Sequence, residues 1–373
     1  MLQNTSIILI IYNMKALILG GTGAIGKHLV DILANNNIEC SVTSRKNRQN
    51  KENILYIKGN ALDDSFLNHL LTKYWDVIID FMIYDEKKFS SRINTILSHT
   101  DQYIFLSSSR VYADTNNLLK EDSPRLLDSC NDKYFLKSNE YSLLKAKEEN
   151  ILINAKQKNW TIIRPYLTYS NERLQLGSVE KESWIYRALH GRTIVFSEDI
   201  GSKYTTLTYG YDVAYCIAKL VGNKNAIGEI FHVTSDEYVK WKDILNIYIK
   251  IFEENTGKKI KVLMKSHTPY DFFLHTKYDR LYNRRFDNSK LKNNIGEIKF
   301  MKIDEGLKQC LSDFLIEPKF NNIDWKKEAT SDRLTGEKTP LSEIPTLKNK
   351  FVYMIIRYLF TFKFLSRLSH IFS

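Results

Sequence analysis

Cysteine is scarce in this chain: Cys40, Cys130, Cys216 and Cys310 lie far apart and form no CxxC pair. That spacing argues against a zinc ribbon or a disulfide framework, so a reducing cytoplasm and no metal site are expected. Long hydrophobic runs are also missing. The apolar run at residues 7–12 is far too short to span a bilayer, and it lacks the basic flank and small-residue cleavage site of a signal peptide. Residues 1–13 are expected to be an extension from an upstream start, with Met14 opening the first domain. The net charge of +11 leaves nucleic acid, anionic membrane and anionic small ligands open as partners. No dense block of lysine and arginine interleaved with aromatics occurs, so most of that charge is expected on solvated faces, with no specific nucleic-acid partner. Acidic residues disappear altogether after Glu343.

At 373 residues the chain has room for two packed units and a tail, and 43% hydrophobic with 26% charged residues is ordinary for a globular protein. Six short apolar segments read as strands: Lys15–Leu19, Ile38–Thr43, Leu55–Ile57, Asp76–Ile83, Gln102–Leu106 and Thr161–Arg164. Helical spacing separates several of them, at Ala24–Asn35, Asp63–Tyr74 and Asn139–Gln157. This alternation predicts an α/β fold with a Rossmann-type doubly wound parallel sheet. After Pro165 the elements are shorter and mixed, which predicts a smaller α/β substrate domain over 166–316 with returns to the sheet. The first domain is expected over 14–165. Residues 317–373 are expected to be a polar, loop-rich connection followed by a basic amphipathic helical tail.

The loop Gly20-Gly21-Thr22-Gly23-Ala24-Ile25-Gly26 joins the first strand to the first helix. A glycine permits the tight turn, Gly23 lets the backbone approach a pyrophosphate at the helix N-terminus, and Gly26 allows close packing. A flexible turn is the plain alternative, but this strand–loop–helix context is the one a dinucleotide fingerprint requires. At the end of the second strand an acid would bind a ribose 2′-hydroxyl. Ser44-Arg45-Lys46 stands there instead, which suits a 2′-phosphate and favours NADP, with NAD still open against a merely solvated basic loop.

Tyr141 and Lys145 lie four apart, hence on one face of a helix about one turn apart. An ammonium beside a phenol favours the phenolate, and such a phenol can move a hydroxyl proton. The stretch Leu106–Asp114 (LSSSRVYAD) adds a run of hydroxyls at the end of a strand.

Together GGTGAIG, SSSRVYA, YSLLK and IIRPY resemble the extended branch of the short-chain dehydrogenase/reductase superfamily, the nucleotide-sugar epimerase/dehydratase group. The resemblance runs from about Met14 to Leu315 and includes YGYDVA, GEIFHVTSDE and FDNSKLK. It implies an NAD(P) domain followed by a domain holding a nucleotide sugar, in surface-polysaccharide sugar biosynthesis. It implies Tyr141 as the acid/base, Lys145 on the cofactor ribose, and Ser108 as the catalytic hydroxyl. Asn60-Ala61 matches the adenine-contacting pair, with aspartate changed to asparagine, and Phe81 and Pro165 should lie along the cofactor. Dehydratases of the group carry Asp-Glu where Ser109 and Arg110 stand, so 4,6-dehydration is disfavoured. Epimerisation, typically at C4, or reduction of a keto-sugar remain.

Other positions depart from the group. Leu167, beside Tyr166, replaces a substrate-contacting asparagine, and Lys203 stands in for a diphosphate arginine, with Lys277 or Arg280 as a second. Ser109, Arg110, Tyr166, Leu167 and Lys203 are therefore the expected substrate contacts, although Arg110 fits a structural salt bridge equally well. Arg192 reads most simply as a surface arginine, with a ligand contact as the alternative; His190 and His232 read as surface or interface histidines in preference to acid/base partners, and Trp184 and Trp241 as core. The chief alternative is a non-catalytic cofactor-binding scaffold or an RNA-associated relative. A homodimer is the expected assembly. From Phe360 onward Phe364, Leu365, Leu368, Ile371 and Phe372 share one helical face, and Lys363, Arg367 and His370 the other. This pattern fits an interfacial helix at the inner membrane surface, a helix packed against its own domain, or a subunit contact through 345–373.

Overall fold

The computed structural model describes residues 13–270 and 273–359. The N-terminal extension and the tail face beginning at Phe360 lie outside the described residues.

Seven strands form the central sheet: β1 (Lys15–Leu19), β2 (Glu39–Ser44), β3 (Ile54–Lys58), β4 (Trp75–Asp80), β5 (Thr100–Leu106), β6 (Trp160–Pro165) and β7 (Glu229–Val233). Their order is β7-β6-β5-β4-β1-β2-β3, and the pairs from β6 through β3 are parallel. Helices flank the sheet, giving a Rossmann-like α/β fold with further helices at the C-terminal end. Both faces are covered, so β1 buries every residue after Lys15 and β5 every residue but Asp101. The expected fold class is therefore the observed one. Glu229–Val233, read from sequence as part of the second half, is an edge strand of this sheet, reached by a return of the chain.

Strand order reverses between β1 and β4, the switch point where α/β sheets place ligands beyond their C-terminal ends. The fourth strand stops at Asp80, three residues earlier than its apolar run suggests, because the buried Asp80 carboxylate caps the turn. It accepts from Met82 N at 2.8 Å, from the Tyr84 hydroxyl at 2.7 Å and from the Tyr103 hydroxyl at 2.8 Å. Burial beside this carboxylate pushes both phenols well above their ordinary range.

The chain divides into two compact units that interleave along the sequence. One holds the chain up to Ser107 with Lys147–Arg164 and Ala214–Phe231; the other holds Ser108–Ala146, Pro165–Val213 and the chain from His232. The first unit's core joins β1, β4 and β5 to α2 (Asp64–Leu70) and α3 (Glu86–Leu97). The second unit's main core packs α5 (Lys181–Leu189), α7 (Trp241–Thr256) and α8 (Ile303–Ile316), with Trp184 and Trp241 buried in it.

The region expected to be loop-rich contains a helix between its irregular ends. Residues Trp325–Thr335 form a helix, α9, started by Asp324, whose carboxylate accepts from Lys326 N and Lys327 N. Polar composition misled here because its charges are internal. Arg187 on α5 pairs with Glu328 and Asp332 at 2.8 Å each and with Glu337 at 2.9 Å. Arg192 pairs with Glu328 and Glu343, so it is a buried structural cation and not a surface residue. His232 is likewise buried, its ring bonded to the Asp287 carbonyl at 2.7 Å.

Candidate functional site

In the first unit, β1 ends at Leu19 and the turn starts at Gly20, whose φ of +77° suits glycine. A Cβ on Gly26 would lie 2.6 Å from the Gly21 backbone, so only glycine lets α1 (Gly26–Asn35) start against the loop. A Cβ on Gly23 would meet nothing within 4 Å, and that face of the loop is open. Helix α1 has Ile25 at its N-cap, with no side-chain cap and no acid in its first turn, so the positive end of the helix meets no protein carboxylate there.

A cavity of about 330 Å³ opens beside this loop. Its wall brings together Gly20, Thr22, Ser44, Arg45, Asn60, Ala61 and Phe81, seven of the expected cofactor contacts, and carries no carboxylate. Arg45 is exposed at its rim, while the buried Ser44 hydroxyl donates to the Lys46 carbonyl at 2.9 Å and accepts from Arg48 Nε at 3.3 Å. The open glycine loop, the uncapped helix end and the acid-free wall fit a dinucleotide. Ala24, Ile25 and Gly26 lie at the helix start, and Pro165 ends β6.

Sequence reasoning missed Arg92 on α3. Its buried guanidinium donates to the Ala61 and Leu62 carbonyls at 2.9 and 3.0 Å and pairs with Asp64, holding the Asn60–Leu62 turn. An isolated arginine in a helix gives no sequence signal for such a role.

The three serines part company. Ser107 is buried in the first unit and donates to Glu149 Oε1 at 2.5 Å, where Arg164 also binds Glu149 through two guanidinium nitrogens. Ser108, in the second unit, caps a single helical turn over Ser109–Val111, and its hydroxyl accepts from Arg110 N at 3.2 Å. Ser109 is fully buried.

Helix α4 (Tyr141–Asn154) starts at Glu140, whose carboxylate accepts from Ser142 N at 2.6 Å. The same carboxylate pairs with the Arg110 guanidinium, which lies 5.4 Å from the Tyr141 ring centroid. Lys145 is buried one turn on, with Nζ 6.0 Å from that centroid. Arg110 therefore makes the salt bridge open to it, and through it the Ser108 turn is tied to the start of the Tyr141 helix.

Behind Arg110 lies a cluster invisible from spacing alone. Asp279, buried, receives Arg284 Nε at 2.8 Å, the Arg280 guanidinium, and the Tyr166 hydroxyl at 3.3 Å, while Arg110 Nε stands 3.7 Å away. Burial lowers Arg280 to about 10 and lowers Arg284 as well. Leu167 is buried in the second unit's core, and Lys203 is half-buried beside β-bridged Tyr204. Lys277 is exposed and bonds Asp132 at 3.2 Å.

The chain is similar to known proteins over most of this architecture. It is 28% identical over 242 residues to the chloroplast stem-loop binding protein of 41 kDa b from Arabidopsis thaliana, covering 60% of this chain and 60% of that protein's length. Among solved structures it resembles the Bordetella bronchiseptica enzyme WbmH in complex with NAD+, at 13% identity and a TM-score of 0.64, covering 82% of this chain and all of that one. It also resembles the UDP-glucuronic acid 4-epimerase from Bacillus cereus in complex with UDP-glucuronic acid and NAD, at 17% identity and a TM-score of 0.62, again over 82% of this chain and 100% of that one. The NAD dependent epimerase/dehydratase family matches residues 16–234, more than half of the sequence and the whole stretch from β1 to β7, so this chain belongs to that family.

Proposed function

We propose that the protein is an NAD(P)-dependent nucleotide-sugar epimerase or 4-ketoreductase, with the first unit binding the cofactor and the second holding the sugar nucleotide. The observation that carries this reading is the linkage of the Ser108 turn to the Tyr141 helix through Arg110 and Glu140, with Lys145 buried one turn from Tyr141. When bound, the nicotinamide supplies hydride transfer at a sugar carbinol carbon. Tyr141 takes or returns the proton of that carbinol, Ser108 hydrogen-bonds the same oxygen, and Lys145, one turn from Tyr141, would hold the cofactor ribose. Arg110 acts as a positioning residue. Neither Ser109 nor Arg110 can serve as the acid or base of water elimination, so dehydration is not part of the reading. The acid-free wall and Arg45 favour NADP over NAD.

The test is incubation with a panel of nucleotide sugars and 4-keto intermediates, following NADPH absorbance and product stereochemistry. Tyr141→Phe should lower turnover by about 10²–10⁴-fold with cofactor affinity retained. Arg45→Asp should weaken NADP far more than NAD; equal losses would refute the NADP preference. A second reading is favoured by the stem-loop binding relative: an RNA-associated protein of the same fold. Absence of turnover on every sugar, with stem-loop RNA retarded equally by wild type and Tyr141→Phe, would select it.

A further inference from the structure

The described chain closes with α10 (Leu347–Met354), which runs on through Ile355–Leu359. One side of this segment is locked into the protein. Tyr353 and Ile356 are fully buried in a small core with Trp325 and Ala329 of α9. The Tyr353 hydroxyl donates to Asp332 at 2.7 Å and accepts from Thr339 N at 2.9 Å. Arg357 Nε donates to the Glu337 carbonyl at 3.0 Å, and Arg333 donates to the Ile356 carbonyl at 3.2 Å.

The other side is apolar and bare. Leu347 is 84% exposed, Phe351 63%, Met354 42% and Tyr358 52%. The i, i+4 and i+7 spacing of Leu347, Phe351 and Met354 makes one continuous stripe along α10, and Tyr358 follows in the π-helical turn beyond it. At 100° per residue, Lys348 and Lys350 fall on either flank of that stripe. From Ile344 to the end of the chain the sequence has five Lys/Arg residues (Lys348, Lys350, Arg357, Lys363 and Arg367) and no acid.

We infer that this stripe docks on an anionic phospholipid bilayer, the helix lying in the interface with its apolar row in the acyl boundary and its lysines at the headgroups. An apolar row flanked by cations is what such a surface binds. A second copy of the chain fits less well, because two such helices meeting face to face would bring lysine against lysine with no carboxylate in the segment to pair them. No described helix is long and apolar enough to cross a membrane. Because Tyr353 and Ile356 hold the inner side, docking needs no unfolding of α10 from the second unit's small core.

The inference stands apart from the catalytic reading and is tested separately on the full chain. Vesicles of phosphatidylcholine, with and without phosphatidylglycerol, are sedimented with wild type, Leu347→Ser/Phe351→Ser and Lys348→Ser/Lys350→Ser. The wild type should bind phosphatidylglycerol vesicles preferentially, and more weakly as salt rises. The apolar double variant should lose binding by about tenfold or more, and the lysine variant should lose the lipid preference. All altered side chains are on the exposed or flanking side, so melting temperature and cofactor affinity should stay at wild-type values, which separates lost docking from lost folding. Absence of wild-type binding, or equal binding by the apolar variant, would overturn the proposal. So would a wild-type dimer in light scattering that the apolar substitutions dissolve.

Discussion

The two units bury charge in opposite ways. In the first, β1, β4 and β5 bury mainly aliphatic and aromatic carbon, and charge goes under in compact groups: Asp80 with Tyr84 and Tyr103, Glu149 with Arg164 and Ser107. In the second, ionic contacts run across whole elements. Arg187 and Arg192 join α5 and its following turn to Glu328, Asp332, Glu337 and Glu343, while Arg110, Arg280 and Arg284 converge on Asp279 and Glu140. Apolar burial degrades gradually when a methyl is removed. A buried ionic network does not, because deleting one partner leaves the others desolvated and unpaired. The first unit should thus tolerate substitution where the second is brittle.

The sharpest contrast is Arg187→Met against Ile79→Val. Arg187 is the shared partner of three carboxylates, two of them fully buried, so its loss should cost about 3–5 kcal/mol in urea unfolding. Ile79, fully buried in β4, should cost only about 0.5–1.5 kcal/mol when one methylene is removed. Similar losses from the two would erase the distinction.

Acid should separate the units next. Burial, with help from Arg280, Arg110 and Lys327, holds His275 at about 3 in the folded protein, against 6.5 for the ordinary residue. Below about pH 6.5 the unfolded chain takes a proton there and the folded one does not, so stability is complete above that pH and falls progressively toward about 3. Asp332, Glu337 and Glu343, each held below its usual range, add a further loss at lower pH, partly offset by Glu328, whose burial raises it. Urea midpoints measured against pH should therefore drop through this window, and His275→Leu should flatten the upper part of the drop. A midpoint unchanged between pH 7 and 5 would contradict the assignment.

The same difference decided what could be read from the chain. The strand runs and the glycine loop are local signals, and they fall where the sheet order and the cavity wall need them, while the Tyr141–Lys145 spacing falls on the first turns of α4. The boundary at Asp80 was missed because a carboxylate that caps a turn looks no different in sequence from one that ends a strand in solvent. Helix α9 was missed because a buried partner for Glu328 or Asp332 lies some 140 residues away in the chain. For Arg110, sequence left substrate contact and salt bridge open, and only the position of Glu140 at the head of α4 supplies the second. Sequence places Arg192 at the surface and His232 at a surface or interface for the same reason: charge and polarity predict exposure unless the distant partner is known.

Lys327 offers the finest test of that lesson. It sits on α9, buried, with Nζ donating to the Ser178 carbonyl at 3.2 Å and lying 4.6 Å from the Phe273 ring centroid. Burial lowers its proton affinity more than Asp324 and Glu180 raise it, and Arg280 lowers it further. An ammonium held below its ordinary range is disfavoured in the folded state at neutral pH, so Lys327→Met should stabilise the protein, by about 1 kcal/mol. The gain should shrink as pH rises and the native lysine sheds its proton. If a bound anion offsets this cost, adding that anion should raise the melting temperature of wild type more than that of Lys327→Met, and the two curves should converge. If Lys327→Met is instead less stable than wild type without any ligand, the carbonyl and the aromatic ring are holding the ammonium better than its burial predicts, and the second unit is less strained by its buried charge than the Arg187 network suggests.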